Sequence, residues 1–181
     1  MKDDLESYLN DHLAGSSAGI LMTQRLLENT VDEEEREFFQ SLLEKIENDR
    51  GQLEQVIESL ELKLHGAKQT MSGMFARIGL WRMDFNGLRI GELGKFELLE
   101  LLILGIQGKG LLWNVLGDIS VSYPSLEKYD FGRLYIEAMA QKEGSRSFAS
   151  GKGGWFSGVL VANRERFNGT LRFIVRVFLM F

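Results

Sequence analysis

Few side chains in this sequence could do chemistry, and His12 is the first of them. It is one of only two histidines, and the chain has no cysteine. Disulfides, thiolate metal sites and a cysteine nucleophile are therefore excluded. An imidazole beside carboxylates can bind iron, manganese or zinc, or it can transfer protons. A complete di-iron site in a helical bundle is not expected, because it needs Glu-x-x-His pairs and the sequence contains none.

Three carboxylates could act together with His12. In the first interpretation, His12 and Asp49 form a buried hydrogen-bonded pair that fixes the register of two helices. A reduced metal site would use the same two side chains and add the carboxylates of Glu100 and Glu137. In a third interpretation, Asp49 orients the imidazole for proton transfer, although no partner nucleophile is visible. The sequence leaves these alternatives open.

Capping patterns define the two helices that would position His12 and Asp49. Asp3 followed by Glu6 has the spacing of a capping box, and it predicts a helix over about residues 4–29. Thr30-Val-Asp-Glu33 has the same spacing and predicts a second helix over about residues 31–64. The apolar positions of the first helix fall on one stripe, namely Leu5, Leu9, Leu13, Ile20 and Leu27.

The short loop between these helices predicts an antiparallel hairpin. Facing residues then have numbers that sum to about 60, which places His12 level with residues 47–49. Asp49 occupies a position where the apolar stripe of the second helix would otherwise continue. Gly15 and Gly19 lie beside His12 and allow a neighbouring helix to approach closely. We therefore expect His12 to face Asp49.

The rest of the first 143 residues also has helical periodicity. Residues 96–116 form the most hydrophobic helix, as expected for a central one. A last helix begins at Ser122-Tyr-Pro-Ser, with Pro124 in its first turn, and continues to about Lys142. Another helix is predicted over about residues 67–83, with a buried face made by Met71, Met74, Phe75, Ile78 and Trp81. The predicted fold is all-α, an antiparallel up-and-down bundle of four to five helices.

The sequence changes character after residue 143. Residues 144–181 contain six basic residues and one acidic residue. Their net charge of +5 leaves −10 on residues 1–143, because the whole chain is −5. Glycine and serine predict a flexible linker over 144–154, and Asn168-Gly169 predicts a β-hairpin at about 159–179. We therefore divide the chain into a helical bundle, 1–143, and a basic tail, 144–181, that docks on the acidic bundle by charge.

Several stretches resemble a known group of proteins. They are Tyr-Leu-Asn-Asp-His-Leu-Ala-Gly at 8–15, Ile-Glu-Asn-Asp-Arg at 46–50, Asn-Gly-Leu-Arg at 86–89 and the run from Glu97 to Lys109 with Leu-Trp at 112–113. Residues 1–143 resemble small bacterial proteins with a ferritin-like helical bundle, a group that implies a fold but no defined activity. In that group the last helix continues to the C-terminus. Residues 144–181 depart from this pattern, which an altered reading frame would explain.

These observations predict a non-enzymatic helical bundle that acts by self-association or by binding a protein partner. The alternative is a ferritin-like metal-binding or redox protein with a degenerate site around His12 and Asp49. No cofactor is predicted, and iron, manganese or zinc belongs only to the alternative. The net charge of −5 gives no reason to expect nucleic-acid binding. The absence of an apolar signal sequence, and of an apolar run near the ~20 residues of a membrane span, predicts a cytoplasmic protein.

Overall fold

The computed structural model describes residues 2–64 and 91–151, and this part of the chain is helical throughout its regular structure. The α-helices are α1 (Lys2–Glu28), α2 (Glu33–Ser59), α3 (Glu92–Ser120) and α4 (Phe131–Gly151), with a 3₁₀ turn at Pro124–Leu126. The all-α prediction is confirmed for these residues. The predicted helix at 67–83 and the predicted hairpin at 159–179 lie outside the described residues.

The turn between α1 and α2 differs in detail from the predicted capping box. Asp32 caps α2, because its carboxylate accepts a hydrogen bond of 2.9 Å from the Glu35 backbone N–H. Thr30 does not cap; its buried hydroxyl donates to the Leu26 carbonyl at 2.7 Å. The helix also ends earlier than residue 64, since Glu61 adopts the left-handed conformation with φ 53°. Both differences are local choices among neighbouring polar residues.

The last helix begins later and extends further than predicted. Pro124 starts only a 3₁₀ turn, and α4 begins at Phe131 with the Asp130 carboxylate accepting from the Arg133 N–H at 2.9 Å. The helix then continues through Gly144 to Gly151, so the predicted linker is wrong for residues 144–151. Tertiary packing explains this, because the Phe148 ring stacks on Phe38 with centroids 4.1 Å apart. A partly buried aromatic contact of this kind offsets the low helix propensity of glycine.

Neighbouring helices run antiparallel. The N-terminal half of α1 packs on the C-terminal half of α2, and both meet the C-terminal half of α3 and the start of α4. The opposite ends of the same helices meet in a second cluster. The first cluster contains Leu9, Leu13, Leu53, Val56, Ile57, Leu112, Trp113, Leu116, Leu126, Phe131 and Leu134. The second contains Ala18, Met22, Leu26, Phe39, Leu42, Ile46, Leu98, Leu99, Leu102, Ile106 and Ala149.

A polar layer separates these two hydrophobic clusters. Each helix contributes to it at the same height, with Ser17 from α1, Asp49 and Arg50 from α2, Lys109 from α3 and Gln141 from α4. Buried polar groups are tolerated only when they find partners. The candidate functional site therefore centres on this polar layer.

Candidate functional site

The centre of the polar layer is a closed triangle of Asp49, Lys109 and Gln141. The Lys109 ammonium donates to the Asp49 carboxylate and to the Gln141 side-chain oxygen at 2.6 Å. The Gln141 amide nitrogen donates to the same Asp49 oxygen at 3.0 Å. Asp49 is buried, with only 4% of its surface exposed. The triangle thus joins α2, α3 and α4 through charge-assisted hydrogen bonds, which are stronger than neutral ones.

Two opposing effects act on the pKa of Lys109. Burial lowers the pKa of the ammonium from its ordinary value, because the charged form loses hydration. The Asp49 carboxylate opposes this change by charge and by hydrogen bonding, and Glu137 adds a smaller opposing effect. Burial has the larger effect, so the pKa of Lys109 lies below that of a lysine in water.

Arg50, which follows Asp49 on α2, links α1 to this layer. Its guanidinium donates to the Ser17 hydroxyl at 2.7 Å and to the Glu54 carboxylate at 3.0 Å. The Ser17 hydroxyl in turn donates to the Leu13 carbonyl at 3.2 Å. The polar layer therefore consists of two adjacent hydrogen-bonded groups, one joining α1 to α2 and one joining α2, α3 and α4.

His12 is not the partner of Asp49. The structure describes both residues and shows no hydrogen bond between them. The His12 ring instead meets the Tyr8 ring edge-on, with centroids 4.7 Å apart and planes at 73°. Burial lowers the pKa of His12, while Asp11 raises it by a smaller amount. The predicted bond fails because the stronger, charged donor Lys109 satisfies Asp49.

The predicted register is nevertheless informative. His12 and Asp49 line the same groove, so the hairpin brings them to the same region without pairing them. The two remaining candidates have other surroundings, although Glu137 lines a second groove together with Asp49. Glu137 forms an ion pair of 2.8 Å with Arg133. Glu100 is half-buried on α3, and burial, followed by repulsion from Glu97, raises its pKa.

The four residues do not assemble into a metal site. Within residues 2–64 and 91–151, no group of three or more histidine, aspartate and glutamate side chains is placed to hold a metal ion. Metal binding needs several such donors converging on one point. The degenerate metal site predicted from His12, Asp49, Glu100 and Glu137 is therefore not formed by these residues.

An apolar groove runs between α1 and α3, and the polar layer reaches it. We call it the α1/α3 groove; it has a volume of about 450 Å³. Its α1 wall includes Tyr8, His12, Gly15, Gly19 and Met22, and its α3 wall includes Leu101, Leu104, Gly105, Gly108 and Leu112. Lys109 and Asp49 also line this groove. The groove is concave because glycines on both helices leave out side chains.

The predicted close approach of helices rests on Gly15 and Gly19 of α1; Gly105 and Gly108 of α3 join them only in the structure. A Cβ added at Gly19 would lie 3.6 Å from Ile46 and 3.8 Å from Leu102, which confirms that α1 packs closely there. A Cβ added at Gly105 or Gly108 would meet nothing within 4 Å. Their spacing on the most apolar helix was the signal available.

A second, more polar groove lies on the other side of Asp49, between α2 and α4. It has a volume of about 390 Å³ and is lined by Phe38, Lys45, Asn48, Glu137, Gln141 and Ser145, among others. Asp49 and Gln141 also line it, so the polar layer reaches both sides of the helix assembly. Charged side chains such as Lys45 and Glu137 line this groove together with apolar ones such as Phe38.

The helix α3 combines several unusual properties. Among the described helices it alone is long and apolar enough to cross a membrane. The central helix of a helical bundle meets the same criterion, and α3 packs against both α1 and α4. Trp113 is buried in the first cluster beside Phe131.

Comparisons with known proteins add no family to this description. A scan of protein-family models, a search of curated proteins and a search of solved structures each found no match for the chain. The resemblance to ferritin-like bacterial proteins therefore stays a prediction.

Proposed function

We propose that this protein is a non-enzymatic helical bundle that acts by self-association, with the outward face of α3 as the contact surface. The observation that carries the proposal is an apolar ridge of Leu104, Leu111 and Val115, which are 42%, 55% and 40% exposed. Exposed apolar side chains that are contiguous mark interaction surfaces more often than isolated ones do. We call these three residues the α3 ridge.

The geometry of the ridge suits a second copy of the same helix. Steps of seven and four residues place the three side chains on one side of α3. Gly108 lies between Leu104 and Leu111 and leaves open space beside them. An identical ridge can approach closely at such a glycine, and twofold symmetry would make the contact self-complementary.

The charges around the ridge favour a protein partner over a lipid surface. Glu97 and Glu100 precede the ridge on α3, and Asp118 follows it. The chain as a whole carries a net charge of −5. Anionic membranes attract basic segments and repel acidic ones. A second copy of the chain buries the ridge without needing a cationic surface.

The internal chemistry of the polar layer supports a non-enzymatic role. Lys109, Asp49 and Gln141 hydrogen-bond to one another. This arrangement is typical of a polar contact that holds helices together, and less typical of side chains that bind a substrate. Buried polar groups can specify one arrangement of helices over others. The function then depends on which surface the assembled helices present.

The test is the oligomeric state of the full chain, measured by light scattering after size exclusion over about 1–100 µM, because association depends on concentration. We expect the wild type to form a dimer and Leu111→Glu to weaken it by about tenfold or more. Ile136→Glu is the matched control, since Ile136 is an exposed apolar residue on α4. It should leave the dimer unchanged.

Two results would contradict the proposal. One is a wild type that stays monomeric up to the highest concentration. The other is a Leu111→Glu variant that associates as well as the Ile136→Glu control. Binding of the monomeric wild type to anionic vesicles, lost in Leu111→Glu, would replace self-association by a membrane role for the same ridge.

A further inference from the structure

The buried indole of Trp113 carries a polar atom without a partner. The residue is 1% exposed, and its Nε1–H has no hydrogen-bond acceptor among the described residues. Buried donors without acceptors are costly, and native proteins contain few of them. Of the two grooves described above, Trp113 lines only the α1/α3 groove. A ligand in this groove can therefore supply the acceptor.

The antiparallel packing of α1 and α3 shows where along the groove this indole lies. A Cβ added at Gly19 would lie 3.8 Å from the Leu102 side chain, so these two residues lie level with each other. Equal steps toward the start of α1 and the end of α3 bring Tyr8 level with Trp113. Tyr8 and Trp113 both line the groove. The indole therefore belongs to the end of the groove that Tyr8 marks.

The groove changes from polar to apolar along its length. Near Trp113 it is lined by Tyr8, His12 and Lys109, and the His12 ring meets the Tyr8 ring edge-on. Met22 marks the other end, about 21 Å further along α1. The side chains that line this end are apolar, and they include Ala18, Leu101 and Leu102. This gradient suits an elongated ligand with a polar head and an apolar chain.

The charges of the groove favour a head group without charge. Lys109 is hydrogen-bonded to Asp49, and Arg50 is hydrogen-bonded to Glu54, so both cations already have a carboxylate. Asp11 adds a further carboxylate to the lining. An anionic head would lose its hydration without gaining an unpaired cation, which is unfavourable. A neutral carbonyl oxygen can accept from an N–H group without that loss.

We propose that the α1/α3 groove binds a neutral aliphatic carbonyl compound. Its carbonyl oxygen accepts a hydrogen bond from the Trp113 Nε1–H, and its chain extends toward the apolar end. Gly105 and Gly108 leave room for the chain, because an added Cβ at either meets nothing within 4 Å. The groove volume of about 450 Å³ is typical of small-molecule sites. Leu111 and Val115 of the α3 ridge lie outside the lining, so this site is distinct from the proposed self-association surface.

The test titrates the isotope-labelled full-length chain with heptyl methyl ketone and follows the indole N–H resonances by NMR. The chain has three tryptophans, and Trp113→Phe identifies the resonance of Trp113. We expect a saturable shift of this resonance toward the position of a hydrogen-bonded indole. Nonanoate has the same number of carbon atoms and a charged head, so it is the matched probe. It should bind at least about tenfold more weakly.

Two variants separate the hydrogen bond from the space for the chain. Trp113→Phe keeps an aromatic ring but removes the N–H, and calorimetry should show binding of the ketone weakened by about three- to tenfold. Gly105→Leu fills the groove and should abolish binding. Gly144→Leu is its matched control on α4, where an added Cβ also meets nothing within 4 Å, and it should bind the ketone as the wild type does. Circular dichroism establishes that each variant folds.

Four results would overturn the proposal. The first is no saturable binding of the ketone up to its solubility limit, and the second is binding that leaves the Trp113 resonance unchanged. The third is equal affinity of Gly105→Leu and Gly144→Leu, which would place the ketone outside the groove. The fourth is nonanoate that binds as tightly as the ketone, because the head group would then not be selected for neutrality. A shift of the Trp113 resonance that Gly105→Leu abolishes supports the site.

Discussion

The polar layer and the α1/α3 groove lie next to each other and differ in chemistry: the layer is polar and enclosed, and the groove is apolar. In the layer, Asp49, Lys109 and Gln141 are enclosed by helices and hydrogen-bonded to one another. In the groove, apolar and glycine residues of two helices face a space that no described helix fills. Enclosed polar groups with complete partners define how helices fit together. Among the described residues, the groove is an apolar surface between two helices.

The same helix supplies both features. Lys109 faces the layer, while Gly105 and Gly108 face the groove. Because α3 is apolar nearly all round, its contribution cannot be divided into a buried face and a solvated face as in an ordinary amphipathic helix. The contrast between the two regions can be tested by substitutions on each side.

The largest effect is expected when Asp49 is removed. Asp49→Ala leaves the Lys109 ammonium buried without its carboxylate, and breaking one side of a buried ion pair costs about 3–5 kcal/mol. Chemical denaturation followed by circular dichroism measures the loss. Glu47→Ala, an exposed position on α2, is the control and should change stability by less than about 0.5 kcal/mol.

A double variant sharpens the same comparison. Asp49→Leu with Lys109→Met removes both charges and should recover most of the stability, because apolar replacement of a buried pair is often neutral or stabilising. If the double variant were as unstable as Asp49→Ala, the pair would contribute more than the avoidance of an unpaired charge. The polar layer would then be stabilising in its own right.

Substitutions of glycines on the groove side of α3 should stabilise the fold, in contrast to the loss of Asp49. Gly105→Ala is expected to raise the free energy of unfolding by about 0.5–1 kcal/mol, since alanine favours a helix over glycine and the added Cβ meets nothing within 4 Å. Gly110→Ala is the contrasting variant on the same helix. Its Cβ would lie 2.2 Å from the end of Met139, so this methionine must move and the gain should be smaller. Equal gains would show that packing does not distinguish the two sides of α3.

The smallest expected effect is the pH dependence contributed by His12. Its folded-state pKa lies below the ordinary value of 6.5, so the unfolded chain binds the proton more readily. The stability contributed by the buried, neutral His12 ring is therefore fully present above about pH 6.5, and it decreases as the pH falls through the folded-state pKa. The Tm of the wild type should fall more between pH 7.5 and pH 5.5 than that of His12→Gln. If the Tm of the two proteins changed equally with pH, the His12 ring would be exposed to water and not buried.

Local sequence patterns predicted much of the helical framework. The hairpin of α1 and α2 was predicted from capping residues and the short loop, and Asp49 was recognised as a polar position in an apolar stripe. Its partner was not predictable, because Lys109 lies 60 residues further along the chain and only the packing of α3 brings it close. The same limit explains α4, which continues past Gly144 because Phe148 finds Phe38 across the interface.

The sequence by itself determined that α1, α2 and α3 are helices and where their apolar residues lie, since periodicity and capping act over neighbouring residues; it did not determine the limits of α4. The tertiary structure decided how those faces are used. It joined Asp49 to Lys109 instead of His12, kept the predicted metal donors apart, and aligned four glycines on α1 and α3 into one groove. Charge pairing and cavity shape depend on residues distant in the sequence, so they emerge only when the helices pack.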